Sequence, residues 1–325
     1  MSDDARWLAS AASIAARARP CSRPNPAVGA IVVRDGRVVA RGWTAPGGRP
    51  HAEAVALEAA GSGGKGATLY VTLEPCAHAS ERGPSCADLV AASDLARVVI
   101  GCEDPDPRTA GQGIARICAA GIAVELVPSP EASASLSGYL IQKRLGRPEV
   151  TLKLALSLDG CLTRQPGEDR WLTGEVARAH CHALRARSDA ILVGGGTLRA
   201  DAPRLDVRLP GLEARSPERW VLTRGAAPEG WRRLASPEAI SDMKDVQYLF
   251  VEGGAETARA FLSAGLVDQL VIYRAPISVG EGVPCLPELA SPLLEWQAGV
   301  WRQDDSRQLG NDTLEVYTRL PCSPE

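Results

Sequence analysis

Residues 50–61 read PHAEAVALEAAG and residues 67–76 read ATLYVTLEPC, and the succession of these two stretches decides the fold. Pro suits a first helical position and Gly a closing one, so a helix is expected from Pro50-His51 to Gly61, with His51 in its first turn. The second is an apolar strand over Ala67 to Leu73. Upstream, Val28 to Arg34 is β-rich, Asp35-Gly36 is a hairpin turn signal, and Arg37 to Arg41 returns. A first helix spans Asp4 to Arg19 before Pro20 and Pro24 stop it. Downstream come a short helix over Cys86 to Ala92, a strand over Arg97 to Gly101, a helix over Gly111 to Ala120, and a strand over Ile122 to Val127. Alternating elements of this length imply a layered α/β domain.

A connecting helix over Ser133 to Arg144 leads to Gly146-Arg147-Pro148, the best boundary. The length of 325 residues favours two domains, 1–147 and 148–325. In the second, Val150 to Leu158 reads as a strand and Gly174 to Arg187 as a helix. Ala190 to Val193 is a buried strand running into Gly194-Gly195-Gly196. Tyr248 to Val251 is another, running into Glu252-Gly253-Gly254 and a helix. A β pair, Gln269 to Tyr273 with Thr313 to Tyr317, is expected to close this domain.

Composition excludes several classes. Lys and Arg number 36 against 39 Asp and Glu, and only 4% of residues are aromatic, so a general grip on nucleic acid has no support. No window approaches the ~18 apolar residues of a membrane span. Met1-Ser2-Asp3-Asp4 is acidic where an export signal would be basic. Nine scattered cysteines make a poor disulfide framework and suit a reducing compartment, so a cytoplasmic protein is expected.

The sharpest chemical signal is His51-Ala52-Glu53, followed by Glu74-Pro75-Cys76 and then Cys86. One His and two Cys form a three-ligand set that leaves zinc (Zn2+) an open fourth position, whereas structural zinc sites usually have four protein ligands. A zinc-bound water has a pKa of about 7, and Glu53, two residues from His51, would carry the protons without binding metal. Any of these residues alone is common by chance, and an isolated Cys is most often a small core residue. Together they match the signature of zinc-dependent cytosine and adenine deaminases.

The flanking residues narrow the class. Arg23-Pro24-Asn25-Pro26-Ala27-Val28-Gly29, Thr72 to His78 and Gly101-Cys102-Glu103-Asp104-Pro105 resemble the deaminase half of the bifunctional riboflavin-biosynthesis deaminase/reductases. Lys153 to Gly160, Trp171-Leu172-Thr173-Gly174 and AILVGGGTLRADAPRLDVR, residues 190–208, resemble the reductase half. The resemblance implies a cytidine-deaminase-like three-layer α/β/α domain followed by a dihydrofolate-reductase-like α/β domain. It also implies hydrolytic deamination of a phosphoribosylaminopyrimidine, then NADPH reduction of its ribosyl chain, in a homo-oligomer.

By the same resemblance His51, Cys76 and Cys86 bind zinc, Glu53 shuttles protons and Asn25 contacts the pyrimidine. Arg185, Leu205, Arg208 and Glu252 line the reductase substrate site, while Ala155, Trp171, Thr197, Asp201 and Gly254 line the NADPH site. Lys153 and Asp201 are candidates for proton handling. The chain departs from the family where Thr44 stands for a frequent His and Asp106 for an Asn. Its cysteines are spaced one residue wider, and Asp169 stands where the substrate site often has a small hydroxyl residue.

Locally, the reductase evidence leaves alternatives open. Each glycine run serves equally as a turn or as a phosphate approach, and neither matches G-x-G-x-x-G. Arg185 on its helix reads as solvent-facing, and Lys153 as a strand-edge residue. Two rival functions compete with this one. A nucleic-acid deaminase would need basic and aromatic surface that the chain lacks. A deaminase with a degenerate second half used for binding or assembly is the main alternative.

Overall fold

Alternation along β1 (Gly29–Arg34) separates the two faces of the N-terminal sheet. The structure is a computed structural model that describes residues 2–78, 83–163, 171–280, 282–285 and 300–320. The chain divides into two units, Met1–Gly146 and Arg147–Glu325. In the first, β1 lies between β2 (Arg37–Trp43) and β3 (Thr68–Val71), followed by β4 (Arg97–Ile100) and β5 (Ala123–Leu126), in the order β2-β1-β3-β4-β5. β1 runs antiparallel to both neighbours, and β3, β4 and β5 are parallel. Ala30, Val32, Leu69, Val71, Val98 and Ile100 share a core with α2 (Ala52–Ala60) and α3 (Cys86–Ala91). Ile31, Val33, Tyr70 and Val99 point the other way, onto Leu8 and Ala11 of α1 (Asp3–Ala15). Strand period 2 thus yields the three expected layers.

Beyond α4 (Gln112–Ala119), the single connecting helix expected at Ser133 to Arg144 is two, α5 (Pro130–Ser135) and α6 (Ser137–Leu145). Pro130 opens the first, whose Ser129 cap accepts the Ala132 N–H at 3.2 Å. His51 also departs from expectation. It is the N-cap of α2, with extended backbone, so the helix starts one residue after it.

In the second unit, numbering in chain order, the strands are β6 (Glu149–Leu156), β7 (Cys161–Thr163), β8 (Ala190–Gly194), β9 (Glu218–Leu222), β10 (Arg232–Leu234), β11 (Tyr248–Val251), β12 (Gln269–Arg274), β13 (Val283–Pro284), β14 (Trp301–Leu309) and β15 (Asp312–Arg319). Eight of them form one sheet in the order β10-β9-β8-β11-β6-β12-β15-β14, parallel from β10 to β12 and antiparallel beyond. Val150, Leu152, Leu154 and Leu156 of β6 pack with Ala258 and Phe261 of α9 (Ala255–Ser263). Ile191, Val193, Phe250 and Tyr273 pack on the other face with Ala177 and Cys181 of α7 (Glu175–Arg185).

Arg147 ties the start of this unit to β12. Its guanidinium donates twice to Asp268, at 2.7 and 2.9 Å, and Asp268 also accepts the Val150 N–H at 2.8 Å. Three strands that the pattern did not announce, β9, β10 and β14, widen the sheet. β14 is a charged edge strand, as edges usually are. Among the described residues, no helix is long and apolar enough to cross a membrane.

Candidate active sites

Three local signals bring the zinc donors together. His51 caps α2, Cys76 sits in the turn after β3, and Cys86 opens α3, whose Ser85 cap accepts the Asp88 N–H at 3.1 Å. His51 Nδ1 lies 3.2 Å from Cys86 Sγ and 3.6 Å from Cys76 Sγ, and all three ligand atoms fall within 4.8 Å of one another. The Cys86 N–H also points at Cys76 Sγ, 3.3 Å away. Soft thiolates, one imidazole and no fourth protein donor among the described residues fit a catalytic zinc.

The electrostatics suit the same chemistry. Glu53, in the first turn of α2, is 3% exposed, and burial pushes its carboxyl up to about 7. A hydrogen bond from Cys86 and another with His51 hold the Cys76 thiol down, to about 4. The bond to Cys76 and burial push Cys86 the other way.

His51, Glu53 and Cys76 open onto a cavity of about 340 Å³. Asn25 Nδ2 donates to the Gly48 carbonyl at 2.8 Å and lies 3.0 Å from His51 Nε2, so its amide borders the metal ligand. His78 also lines the cavity, and its Nδ1 has no hydrogen-bond partner. Thr44 is spent on the loop: its hydroxyl donates to Pro26 O at 2.9 Å and accepts the Val28 N–H at 3.0 Å.

The opposite wall was not legible as a site. Asp104 accepts from the Tyr139 hydroxyl at 2.7 Å, while Asp106 accepts from Arg108 at 2.6 Å and from Lys143 at 2.9 Å. Those two cations hold the Asp106 carboxyl far below the usual range, so the acid that replaces an amide here arrives neutralised.

Glu74, in the same turn as Cys76, has a structural task. Its carboxylate accepts from the backbone N–H groups of Gly111, Gly113 and Ile114 at 2.9–3.2 Å and so holds the start of α4. A Cβ on Gly113 would lie 2.1 Å from the Pro75 carbonyl. Gly113→Ala is therefore expected to cost about 1–3 kcal/mol, as overpacking does, and to speed zinc loss by displacing the residue next to Cys76. Urea unfolding and zinc release to a chromogenic chelator check this. Unchanged values would show that α4 yields freely.

In the second unit β8 and β11 are adjacent and parallel, so their glycine turns lie side by side at the carboxyl edge of the sheet. A Cβ on Gly194 would sit 2.3 Å from Thr257 Oγ1, and one on Gly253 2.4 Å from Thr257 Cβ. Both turns must therefore be glycine for α9 to dock. Gly254 caps α9 without a side-chain bond, and Thr197 Oγ1 on α8 (Gly195–Asp201) faces it, 3.5 Å from where a Cβ would stand. An uncapped helix N-terminus beside a hydroxyl, at the carboxyl ends of parallel strands, fits a dinucleotide phosphate.

Arg185 does not face solvent. It makes a forked ion pair with Glu252, Nε to Oε1 at 2.6 Å and Nη2 to Oε2 at 2.9 Å, with both side chains 11% exposed, and Nη1 donates to Asp206 O at 2.9 Å. Glu252 stays below the ordinary range, because the Arg185 pair outweighs burial. Lys153 lies on central strand β6, not at an edge; its ammonium is 6.0 Å from the Tyr273 ring centre.

Ala155 shares the Lys153 face of β6 by alternation. Leu205 is buried with φ of +57°, an unusual backbone for a branched residue. The Arg208 N–H reaches His182 Nδ1 at 3.3 Å, and Arg208 shares a cavity of about 400 Å³ with Trp171 and Arg178. Asp201 is exposed at the end of α8, one helical turn after Thr197 and on the same side of the helix. Asp169 falls outside the described residues.

Comparison with known proteins agrees with this division of labour. Residues 1–102 match the model of the cytidine and deoxycytidylate deaminase zinc-binding region, and residues 148–314 that of the RibD C-terminal domain. The riboflavin biosynthesis protein RibD of Escherichia coli is 37% identical over 88% of this chain and 92% of its own length. A solved structure of Acinetobacter baumannii RibD superposes with a TM-score of 0.85 at 31% identity, covering 98% of this chain and 99% of that one. The diaminohydroxyphosphoribosylaminopyrimidine deaminase/5-amino-6-(5-phosphoribosylamino)uracil reductase of Thermotoga maritima gives 0.85 at 28% identity, with the same coverage. Matched in both halves and over nearly its whole length, the chain belongs to the RibD family, the bifunctional deaminase/reductases of riboflavin biosynthesis.

Proposed function

We propose that the first unit hydrolyses the amino group of 2,5-diamino-6-(5-phosphoribosylamino)pyrimidin-4-one, and that the second reduces the ribosyl chain of the product to ribityl with NADPH. The observation that carries this reading is the His51–Cys76–Cys86 cluster beside a buried Glu53 with a carboxyl near neutrality. Zinc, when bound, supplies a Lewis acid that makes water nucleophilic near neutral pH. Glu53 takes a proton from the attacking water and returns it to the departing nitrogen, so that C–NH2 and H2O become C=O and NH3. Asn25 and His78 orient the pyrimidine from the cavity wall.

In the second unit NADPH, when bound, supplies the hydride. Gly254 and Thr197 hold its phosphates, with Ala155, Trp171 and Asp201 along its length. Arg185, Glu252, Leu205 and Arg208 hold the phosphorylated sugar chain, and Asp169 belongs to the same proposed set. Lys153 delivers the proton that ring opening requires.

We further infer a homo-oligomer working in the cytoplasm on small molecules, free of nucleic acid and membrane. A near-neutral charge balance and eight described cysteines outside any disulfide support the cytoplasmic, nucleic-acid-free part of this reading, and the homo-oligomer rests on the family resemblance.

The test is a single cuvette of zinc-replete protein with the diaminopyrimidine substrate, reading ammonia first and then absorbance of added NADPH. Ammonia followed by NADPH loss is expected. Ammonia without NADPH loss would overturn the second assignment, and no ammonia from zinc-loaded protein the first.

A further inference from the structure

Lys153 has a wall on either side of it. Its side chain points to the face of the sheet that α7 covers, and the two strands beside β6 supply one neighbour each. Glu252, just after β11, stands on one side, and the Lys153 charge helps to hold its carboxyl down. Tyr273 of β12 stands on the other, its ring centre 6.0 Å from the Lys153 ammonium, at the reach of a cation–π contact. Both neighbours are held from above by α7. Arg185 forks onto Glu252, and His180, earlier on the same helix, places Nδ1 2.7 Å from the Tyr273 hydroxyl with the two rings edge to face.

Strand register explains how His180 is itself held. Tyr273 pairs with Leu314 of β15, and Leu314 with Arg307 of β14, so the three side chains share one face in a row across the sheet. Arg307 Nη2 thereby comes to 3.4 Å from His180 Nε2. A guanidinium only donates, so Nε2 accepts, and Nδ1 carries the hydrogen that goes to Tyr273. Burial, together with Arg307 and Arg187, lowers the pKa of His180 and favours the neutral ring that this arrangement needs. Burial beside Cys181 and Glu252 pushes the Tyr273 hydroxyl far above its ordinary range, so it has no acid–base task near neutral pH. What Tyr273 offers Lys153 is a ring in a fixed place.

We propose that Tyr273 and His180 are positioning residues for the reduction: His180 fixes the Tyr273 ring, and the ring and Glu252 together hold the Lys153 ammonium in place for proton delivery. This rests on the reading of Lys153 as the proton donor of the second unit. The lysine stem is a flexible four-carbon chain, and a misplacement of about 1 Å costs a catalytic group up to about 10²-fold. A wandering ammonium would slow the chemical step and leave the binding of substrate and NADPH intact.

The chain has four lysines, Lys65, Lys143, Lys153 and Lys244, so full-length protein labelled with 13C at the lysine ε-carbon gives four signals, and Lys153→Arg assigns one of them. The Tyr273 ring current is expected to displace the Lys153 signal in wild-type protein and in Tyr273→Phe, and the displacement is expected to vanish in Tyr273→Leu. With deaminated substrate, Tyr273→Leu is expected to lower kcat about 10- to 100-fold while both KM values stay within about threefold. Tyr273→Phe keeps the ring and is expected to recover most of that rate. His180→Leu frees the ring and is expected to cost about 3- to 10-fold, again in kcat alone. Its position is half-buried, so it gives the answer should Tyr273→Leu melt below the assay temperature. Undiminished ammonia release serves as the folding control for the first unit.

An undisplaced Lys153 signal in wild-type protein would overturn the positioning, as would Tyr273→Leu and His180→Leu variants that reduce like wild type. So would losses that fall in KM, or that Tyr273→Phe fails to repair. Each of these leaves Lys153 as the proton donor. A Lys153→Met variant that reduces like wild type would instead overturn that reading, and the proposal with it.

Discussion

Glu53→Gln is expected to retain a full complement of zinc and to lose ammonia release by about three to four orders of magnitude. Glutamine keeps the volume and hydrogen-bonding reach of the side chain, so His51, Cys76 and Cys86 stay in place. It cannot accept or return a proton. General acid–base catalysis contributes about 10²–10⁴-fold, and Glu53 serves twice, first on the attacking water and then on the leaving nitrogen, which sets the expectation at the upper end. The position is built for this work: α2 buries the carboxyl, and burial brings it to about 7, where both protonation states are populated at neutral pH. Metal analysis and an ammonia assay on the same preparation decide the matter. The reduction step, supplied with deaminated substrate, should be unaffected. A variant with full zinc and activity within tenfold of wild type would remove Glu53 from the proton path.

Why the zinc site was readable and the rest of its cavity was not follows from chain separation. His51, Cys76 and Cys86 each sit where a local signal ends one element or begins another: a proline before a helix, a turn after an apolar strand, a serine cap. Such signals span three or four residues and survive in sequence. The facing wall is assembled from Asp104, Asp106, Tyr139 and Lys143, and the last two arrive on α6, 35 or more residues after the loop they meet. A lysine on an amphipathic helix carries no mark of the carboxylate it will find.

The second unit repeats the lesson. Arg185 looks solvent-facing by helical position, yet Glu252, 67 residues later, receives it because β8 and β11 are neighbours in the sheet. Resemblance placed both residues at the substrate, whereas periodicity supported neither. β9 and β10 leave a faint mark in the sequence for another reason. ERWVL and RRL mix charge with apolar residues near a sheet edge, where burial on one face is incomplete and the period-2 signal fades.

Arg185→Met is expected to lower the unfolding temperature of the second unit by roughly 6–20 °C and to abolish reduction, with deamination retained. Removing one partner of a buried ion pair costs about 3–5 kcal/mol, because the other charge is stranded, and each kcal/mol shifts a domain of this size by about 2–4 °C. Among the described residues Glu252 would keep the weak donor Cys181, 3.6 Å away, and the charge of Lys153, and burial would push its carboxyl up. Loss of activity in this variant alone would not separate a substrate role from a structural one. Arg185→Met combined with Glu252→Leu does. Replacing a buried pair by apolar side chains of similar volume is often neutral or stabilising, so the melting temperature should recover most of its fall. If the pair holds the phosphorylated sugar, NADPH oxidation stays absent in this refolded double variant, and its affinity for the deaminated substrate falls with it. Differential scanning calorimetry and substrate titration read the two effects separately. A double variant that melts like wild type and reduces like wild type would make Arg185 and Glu252 a packing element beside the site, and would leave Arg208 to hold the phosphate.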